Sequence, residues 1–145
     1  MLAAVETTTF NVTATVAAAC TVSATDLAFG AYVPAAALSD DASSTVTTNC
    51  TLTVPYNIGL DAGIGTGATI PLRQMTGSPT ADLLTYSLYR DAAHALVWGN
   101  TIGTNTVALV GTGLAVPTTV FGRIPALQNV SVGTYTDTIT ATVTF

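Results

Sequence analysis

The sequence contains no lysine, and its three arginines, Arg73, Arg90 and Arg123, stand far apart. Only 8% of its 145 residues are charged, whereas about a quarter is usual for soluble domains. Nucleic-acid binding needs grouped cations that contact phosphates, so the sequence argues against a nucleic-acid partner. Threonine, serine, asparagine and glycine must cover much of the surface. We expect much of that surface to be buried against other molecules in use.

Histidine and cysteine are almost as scarce. The single histidine, His94, lies in a predicted turn, and no G-x-S-x-G segment supplies a nucleophilic serine, so we predict that the protein is not an enzyme. One histidine and two distant cysteines do not form a ligand set, and we expect no metal, no cofactor and no small-molecule substrate. The cysteines, Cys20 and Cys50, indicate either a disulfide in an oxidising compartment or two buried thiols.

Long uninterrupted apolar runs are missing as well. No stretch is long enough for a transmembrane helix, because glycine, asparagine, proline and threonine interrupt the charge-free residues 92–122. Residues 1–4 are too short for a signal peptide and lack its basic region. We expect them to be either a processed end or an added start.

The sequence is rich in the alternation of apolar and polar residues that is typical of β-strands. Residues 7–22 and 45–60 each predict a long β run, and we expect Pro55 to break the ladder of the second run or to mark a bulge or an edge there. Residues 133–145 predict the clearest strand, with threonine at every even position from Thr134 to Thr144. Shorter strands separated by glycine and proline turns fill the middle, and no 3.6-residue period indicates a helix. The pattern predicts a single all-β sandwich.

The two terminal stretches suggest an assembly. The final strand has an apolar face that needs a neighbour, and the first stretch has an apolar face beyond what a simple sandwich needs. We predict a donor-strand segment in residues 1–17 and a β-sandwich domain in residues 18–145. The donor face would consist of Phe10, Val12, Ala14 and Val16. The acceptor groove would be lined partly by Ile139, Ala141, Val143 and Phe145.

Donation to a second molecule, repeated head to tail, would give an open filament of identical subunits. The alternative is that the same two segments pair within one molecule and form a self-complemented monomer.

Several short motifs, in this order and spacing, resemble the spore coat protein U family, which includes the major subunits of archaic chaperone–usher pili. The similarity begins near Phe10 and covers nearly the whole chain. The motifs that carry it are Cys20-Thr21-Val22, Leu27-Ala28-Phe29-Gly30-Ala31-Tyr32, Cys50, Arg73-Gln74-Met75, Leu84-Thr85-Tyr86-Ser87-Leu88-Tyr89-Arg90-Asp91, Trp98-Gly99, Phe121-Gly122-Arg123-Ile124-Pro125, Gln128 and Gly133-Thr134-Tyr135-Thr136-Asp137.

This resemblance implies an incomplete immunoglobulin-like β-sandwich that is completed by a donor strand from a neighbouring subunit. It implies a disulfide between Cys20 and Cys50. It also implies a periplasmic chaperone and an outer-membrane usher as assembly partners, and secretion through the periplasm into a pilus fibre at the cell surface. By this analogy the fibre serves adhesion and biofilm formation.

A chain of 145 residues has no room for an added adhesive domain, so we expect a shaft subunit. A spore-coat structural protein and a secreted monomeric sandwich that binds a glycan or another surface ligand remain as alternatives.

Overall fold

The computed structural model describes residues 1–145 and contains nine β-strands and no helix, hence no helix that is long and apolar enough to cross a membrane. The strands are β1 Cys20–Ala24, β2 Asp40–Cys50, β3 Pro55–Leu60, β4 Arg73–Ser78, β5 Leu83–Tyr89, β6 Val107–Val110, β7 Ala115–Ile124, β8 Thr134–Thr136 and β9 Ala141–Thr144.

These strands form two sheets in which all neighbours are antiparallel. The larger sheet has the order β1-β2-β7-β5-β4-β8, and the smaller one has the order β6-β3-β9. Side chains from both sheets form one apolar core, in which Ile58 of β3, Ile124 of β7 and Trp98 are almost fully buried. The all-β sandwich predicted from the alternation is confirmed.

Two of the long strands predicted from the sequence are shorter in the structure. Residues 1–19 form no strand, and the first ladder begins only at Cys20. A strand needs a neighbour for its backbone groups, and residues 1–16 have none within the chain. Residues 45–60 form parts of two strands, β2 and β3, because a turn at residues 51–54 carries the chain into the other sheet.

The predicted terminal strand is also divided between the sheets. β8 pairs with β4 in the larger sheet, whereas β9 pairs with β3 in the smaller one. At the crossing, the Asp137 carboxylate accepts hydrogen bonds from the amides of Ile64 (2.9 Å) and Thr138 (2.8 Å). The Asp61 carboxylate accepts one from the Thr140 amide (2.9 Å). Carboxylates therefore satisfy backbone donors where no ladder is available.

One buried arginine holds the loops beside this crossing. Arg73 is fully buried, and its guanidinium donates hydrogen bonds only to backbone carbonyls. The acceptors are the carbonyl oxygens of Asp61 (2.8 Å), Ile70 (2.9 Å), Leu60 (3.2 Å) and Trp98 (2.7 Å). Burial lowers the pKa of this guanidinium, and no carboxylate forms a salt bridge with it. One side chain therefore joins Leu60, Asp61 and Ile70 to Trp98.

We predict that Arg73→Met lowers the free energy of unfolding by about 3–5 kcal/mol, because four carbonyl groups lose their donors in a buried place. Urea unfolding followed by tryptophan fluorescence measures the change at Trp98. The matched control is Arg123→Met, since Arg123 pairs with Asp41 at a partly exposed position and should contribute less than about 1 kcal/mol. Equal effects of the two substitutions would contradict the role given to Arg73.

Candidate strand-acceptor groove and N-terminal segment

The sandwich is open along one side, where two edge strands lie next to each other. β9 ends the smaller sheet and pairs only with β3, and β1 ends the larger sheet and pairs only with β2. Cα atoms of β1 and β9 come within 8 Å of each other. No strand of residues 1–145 pairs with the other side of β9. Its free backbone groups are therefore a template for an additional strand.

A cavity of about 540 Å³ opens between these edges. Of its 18 lining residues, 12 are hydrophobic, so most of its lining is apolar. One wall contains Leu27 and Phe29, and the other contains Ile139 and Ala141. Core side chains form its floor, namely Val46, Leu60, Leu88 and Val120. Protein interiors rarely leave voids larger than a water molecule, so a cavity of this size beside core side chains is unusual.

The structure places the four predicted acceptor residues differently. Ile139 and Ala141 line the cavity. Val143 packs against the core further along β9, outside the cavity, while Phe145 is 57% exposed. The alternation of apolar and polar residues predicted that every second side chain points inward. The structure agrees for Ile139, Ala141 and Val143, which are less exposed than the threonines between them. The four residues together remain a prediction for the acceptor surface.

Sequence reasoning missed the opposite wall of the groove. Leu27 and Phe29 share one face of a short extended stretch, and this alternation was the available signal. The stretch forms no strand in the structure, although both side chains pack against the core. Its position facing residues 135–141 follows from the sheet order, which the sequence does not reveal.

A hydrogen-bonded pair, Tyr86 and Asp137, lies among the lining residues of the groove. The Tyr86 hydroxyl donates a hydrogen bond to the Asp137 carboxylate (2.6 Å), and Phe29 packs edge-on against the Tyr86 ring with centroids 6.2 Å apart. Burial raises the pKa of Tyr86 above its usual value, and the hydrogen bond to Asp137 raises it further. The two residues connect β5 to the β8–β9 crossing, so they fix the distance between floor and wall.

The N-terminal segment, residues 1–16, is exposed along its whole length. Phe10 is 85% exposed, Val12 85% and Val16 84%, and Ala14 is exposed as well. These are the four side chains predicted to form the donor face. A row of apolar side chains in water is unfavourable by about 25 cal/mol per Å² of apolar surface. These four apolar side chains therefore have no partner inside their own chain.

The root of this segment is attached firmly to the domain. Cys20 and Cys50 are joined by a disulfide, with an S–S distance of 2.06 Å, and this links β1 to the end of β2. Next to it, the Thr51 amide donates to the Ala19 carbonyl (2.9 Å), and the Ala19 amide donates to Thr51 Oγ1 (3.1 Å). The outermost contact is a hydrogen bond from Thr51 Oγ1 to the Ala17 carbonyl (3.5 Å). The boundary predicted at residues 17–18 falls within this anchored stretch.

The sole histidine lies elsewhere, in a charged and aromatic cluster outside the groove. His94 packs edge-on against Tyr89 and Phe121, and its Nε2 is 3.9 Å from Asp41 Oδ1. Arg123 donates two hydrogen bonds to the Asp41 carboxylate (2.6 and 2.7 Å) and lowers its pKa. No group of three or more histidine, cysteine or acidic side chains is positioned to hold a metal ion.

Comparisons with known proteins give three findings. The family model of the Spore Coat Protein U domain matches residues 6–142. Protein U of Myxococcus xanthus is 40% identical over 156 aligned residues, which cover 99% of this chain and 87% of that protein.

The third finding is a likeness to a solved structure, the CsuC–CsuE chaperone–tip adhesion subunit pre-assembly complex from archaic chaperone–usher Csu pili of Acinetobacter baumannii. It matches with a TM-score of 0.65 and 23% identity over 90% of this chain. The match spans 40% of that solved chain, and at this identity it shows a shared fold.

The buried phenol predicts a specific loss of stability at high pH. In the unfolded chain Tyr86 ionises near pH 10.0, whereas in the folded chain its pKa is raised and the proton stays on. Its contribution is therefore fully present below pH 10 and is lost as the pH rises, at about 1.4 kcal/mol per pH unit. Urea unfolding of the wild type and of Tyr86→Phe at several pH values from about 9 to 11 measures it. Tyr86→Phe should lose less stability over this range. Identical pH dependence in both proteins would show that Tyr86 ionises equally easily in the folded state.

Proposed function

This chain belongs to the Spore Coat Protein U domain family, and on that basis we propose that it is a structural subunit that polymerises by donor-strand exchange into a cell-surface pilus. One observation carries the proposal. The same molecule has an unpaired β9 edge beside an open apolar cavity and an exposed segment with an apolar face. Each of the two features supplies what the other lacks, so the segment of one copy fits the groove of the next.

The spacing of the donor residues suits this insertion. Phe10, Val12, Ala14 and Val16 fall on one face of an extended chain, and Phe10 to Val16 spans about 20 Å at the rise of a β-strand. The opposite face carries Asn11, Thr13 and Thr15, which are suited to water. Full burial of a phenylalanine or valine side chain contributes roughly 1.5–3 kcal/mol, and new backbone hydrogen bonds along β9 add to this.

Several finer features are part of the proposal. A subunit with both a donor segment and an acceptor groove is suited to interior positions of a filament, which supports a shaft role. The groove is an exposed aggregation site until it is filled, which supports a periplasmic chaperone that covers it and an outer-membrane usher that exchanges the strands. The disulfide suits an oxidising compartment and secretion to the cell surface. A fibre of this kind would serve adhesion and biofilm formation.

A second product of the same polymerisation is a coat layer. The family is described by a spore-coat domain, and the relative from Myxococcus xanthus is similar along 99% of this chain. Coat and pilus would use the same contact between segment and groove. Electron microscopy of the native cells distinguishes them, because a pilus extends as separate filaments and a coat follows the cell surface.

The first test replaces the donor face. We predict that Phe10→Asp combined with Val12→Asp abolishes polymers, because two carboxylates would have to be buried without partners in the groove. Size-exclusion chromatography and negative-stain microscopy measure the outcome. The matched control is Asn11→Asp combined with Thr13→Asp, which adds the same charges on the face that stays in water. Polymers of normal length from the Phe10/Val12 variant would refute the donor assignment.

The second test separates the segment from the domain. We predict that a chain without residues 1–17 is prone to aggregation and unfolds at a lower temperature, because nothing then covers its groove. A synthetic peptide of residues 6–18 should restore solubility and raise the unfolding temperature. A peptide with Phe10→Asp and Val12→Asp should not. If the truncated domain is soluble, monomeric and insensitive to the peptide, the sandwich is not incomplete.

A further inference from the structure

The N-terminal segment has two ways to fill a groove. It leaves the domain at the Cys20 end of β1, and the cavity of the same molecule begins at the other end of this strand, at Ala24. If the chain reversed direction just before Cys20, the segment would run back along β1 as a hairpin and cover its own groove. If it continues straight, the segment points away from the domain and is available to another copy.

A hairpin of this kind requires a turn of about two to five residues in the stretch between Val16 and Cys20. That stretch consists of three alanines, Ala17, Ala18 and Ala19, and none of them is a glycine or asparagine that would favour a turn. Two of the three are hydrogen-bonded to the same residue, Thr51. The place where the chain would have to turn is therefore the place where it is held.

Thr51 holds this stretch with both its backbone and its side chain. The bond from the Thr51 amide to the Ala19 carbonyl (2.9 Å) extends the β1–β2 pairing one residue beyond Cys20 and Cys50. The side-chain oxygen accepts from the Ala19 amide (3.1 Å), and its single proton is shared between the carbonyls of Ala19 (3.2 Å) and Ala17 (3.5 Å). Both backbone groups of Ala19 are thus occupied, and the chain is kept in line with β1. The adjacent Cys20–Cys50 disulfide fixes the register of β1 against β2, so Ala19 stays opposite Thr51.

We propose that Thr51 is a positioning residue that keeps the root of the N-terminal segment in line with β1, so that the segment is presented to another copy and not folded back over its own groove. This inference rests on the proposed function, since it concerns how the same segment is divided between self-closure and polymerisation. It assigns to Thr51 control of the ratio of closed monomer to polymer.

The test substitutes the hydroxyl while keeping the shape of the side chain. Thr51→Val retains the backbone bond and removes the side-chain hydrogen bonds. The loss of about two hydrogen bonds should raise the ratio of folded monomer to polymer by about tenfold. Full-length oxidised protein is refolded from denaturant at a fixed concentration, and size-exclusion chromatography gives the ratio. Thr51→Ser keeps the hydroxyl and should behave like the wild type. Thr47→Val is the control for the chemical change, because the Thr47 hydroxyl on β2 forms no hydrogen bond in the structure.

The monomer that accumulates must also be closed. A self-closed monomer should fail to bind the peptide of residues 6–18, because its groove is already occupied. If Thr51→Val folds poorly, Ala18→Gly provides a second variant at an exposed position. It eases a turn at the root without touching the domain, and it should shift the ratio in the same direction.

Each result has a defined meaning. A wild type that forms no polymers refutes the proposed function itself. If the wild type polymerises and Thr51→Val and Ala18→Gly give the same ratio as the wild type, the role of Thr51 is wrong while the proposed function stands. If Thr51→Val and Thr51→Ser raise the ratio of monomer to polymer equally, the hydroxyl is irrelevant. That result would also overturn the inference.

Discussion

The unsatisfied edge of β9 is the constraint on which the rest of the structure depends. On one side its backbone pairs with β3, and on the other side no partner exists within residues 1–145. The cavity beside it leaves Leu60, Tyr86 and Val120 facing a space where a packed core would have side chains. Unpaired backbone groups and an unfilled core are separate costs, and one inserted strand removes both. A strand is the only element that does so, because it supplies alternating side chains and a row of hydrogen bonds together.

The groove is open, and polar contacts hold its walls where packing is absent. One wall is held at β1 by the disulfide, which closes a loop with a sequence separation of 30 and contributes roughly 3–4 kcal/mol in the chain-entropy model. The wall continues through Thr25, whose amide donates to the Thr45 carbonyl. The opposite wall is held by Asp137 and Asp61 at the β8–β9 crossing, with Arg73 fixing the neighbouring loop. The buried guanidinium of Arg73 and the carboxylates of Asp61 and Asp137 thus lie beside the crossing, where backbone pairing between strands is interrupted.

The sequence predicted the sandwich and the inward parity of Ile139, Ala141 and Val143 because both follow from a period of two residues. It did not predict the change of sheet at Asp137, because the alternation continues unbroken through the crossing while the partner strand changes. It also predicted a strand over residues 7–22 that the structure lacks before Cys20. Alternation predicts which side chains of that stretch share a face, but it does not provide a partner strand, and the donor face stays a prediction. The wall at Leu27 and Phe29 was missed for a related reason, since its role comes from tertiary position alone.

The absence of lysine and the open edge both reflect the scarcity of charged residues in this chain. Soluble proteins usually protect edge strands with lysine, proline or other charges, because an unprotected edge invites pairing with another chain. Neither β1 nor β9 carries a charged residue or a proline. For a monomer this is a risk of aggregation, whereas strand addition requires an edge that no charge blocks. The threonines of β9 suit such an edge, since they favour extended backbone and tolerate water. A composition that argues against a nucleic-acid partner therefore favours, by the same lack of charge, a partner made of the same chain.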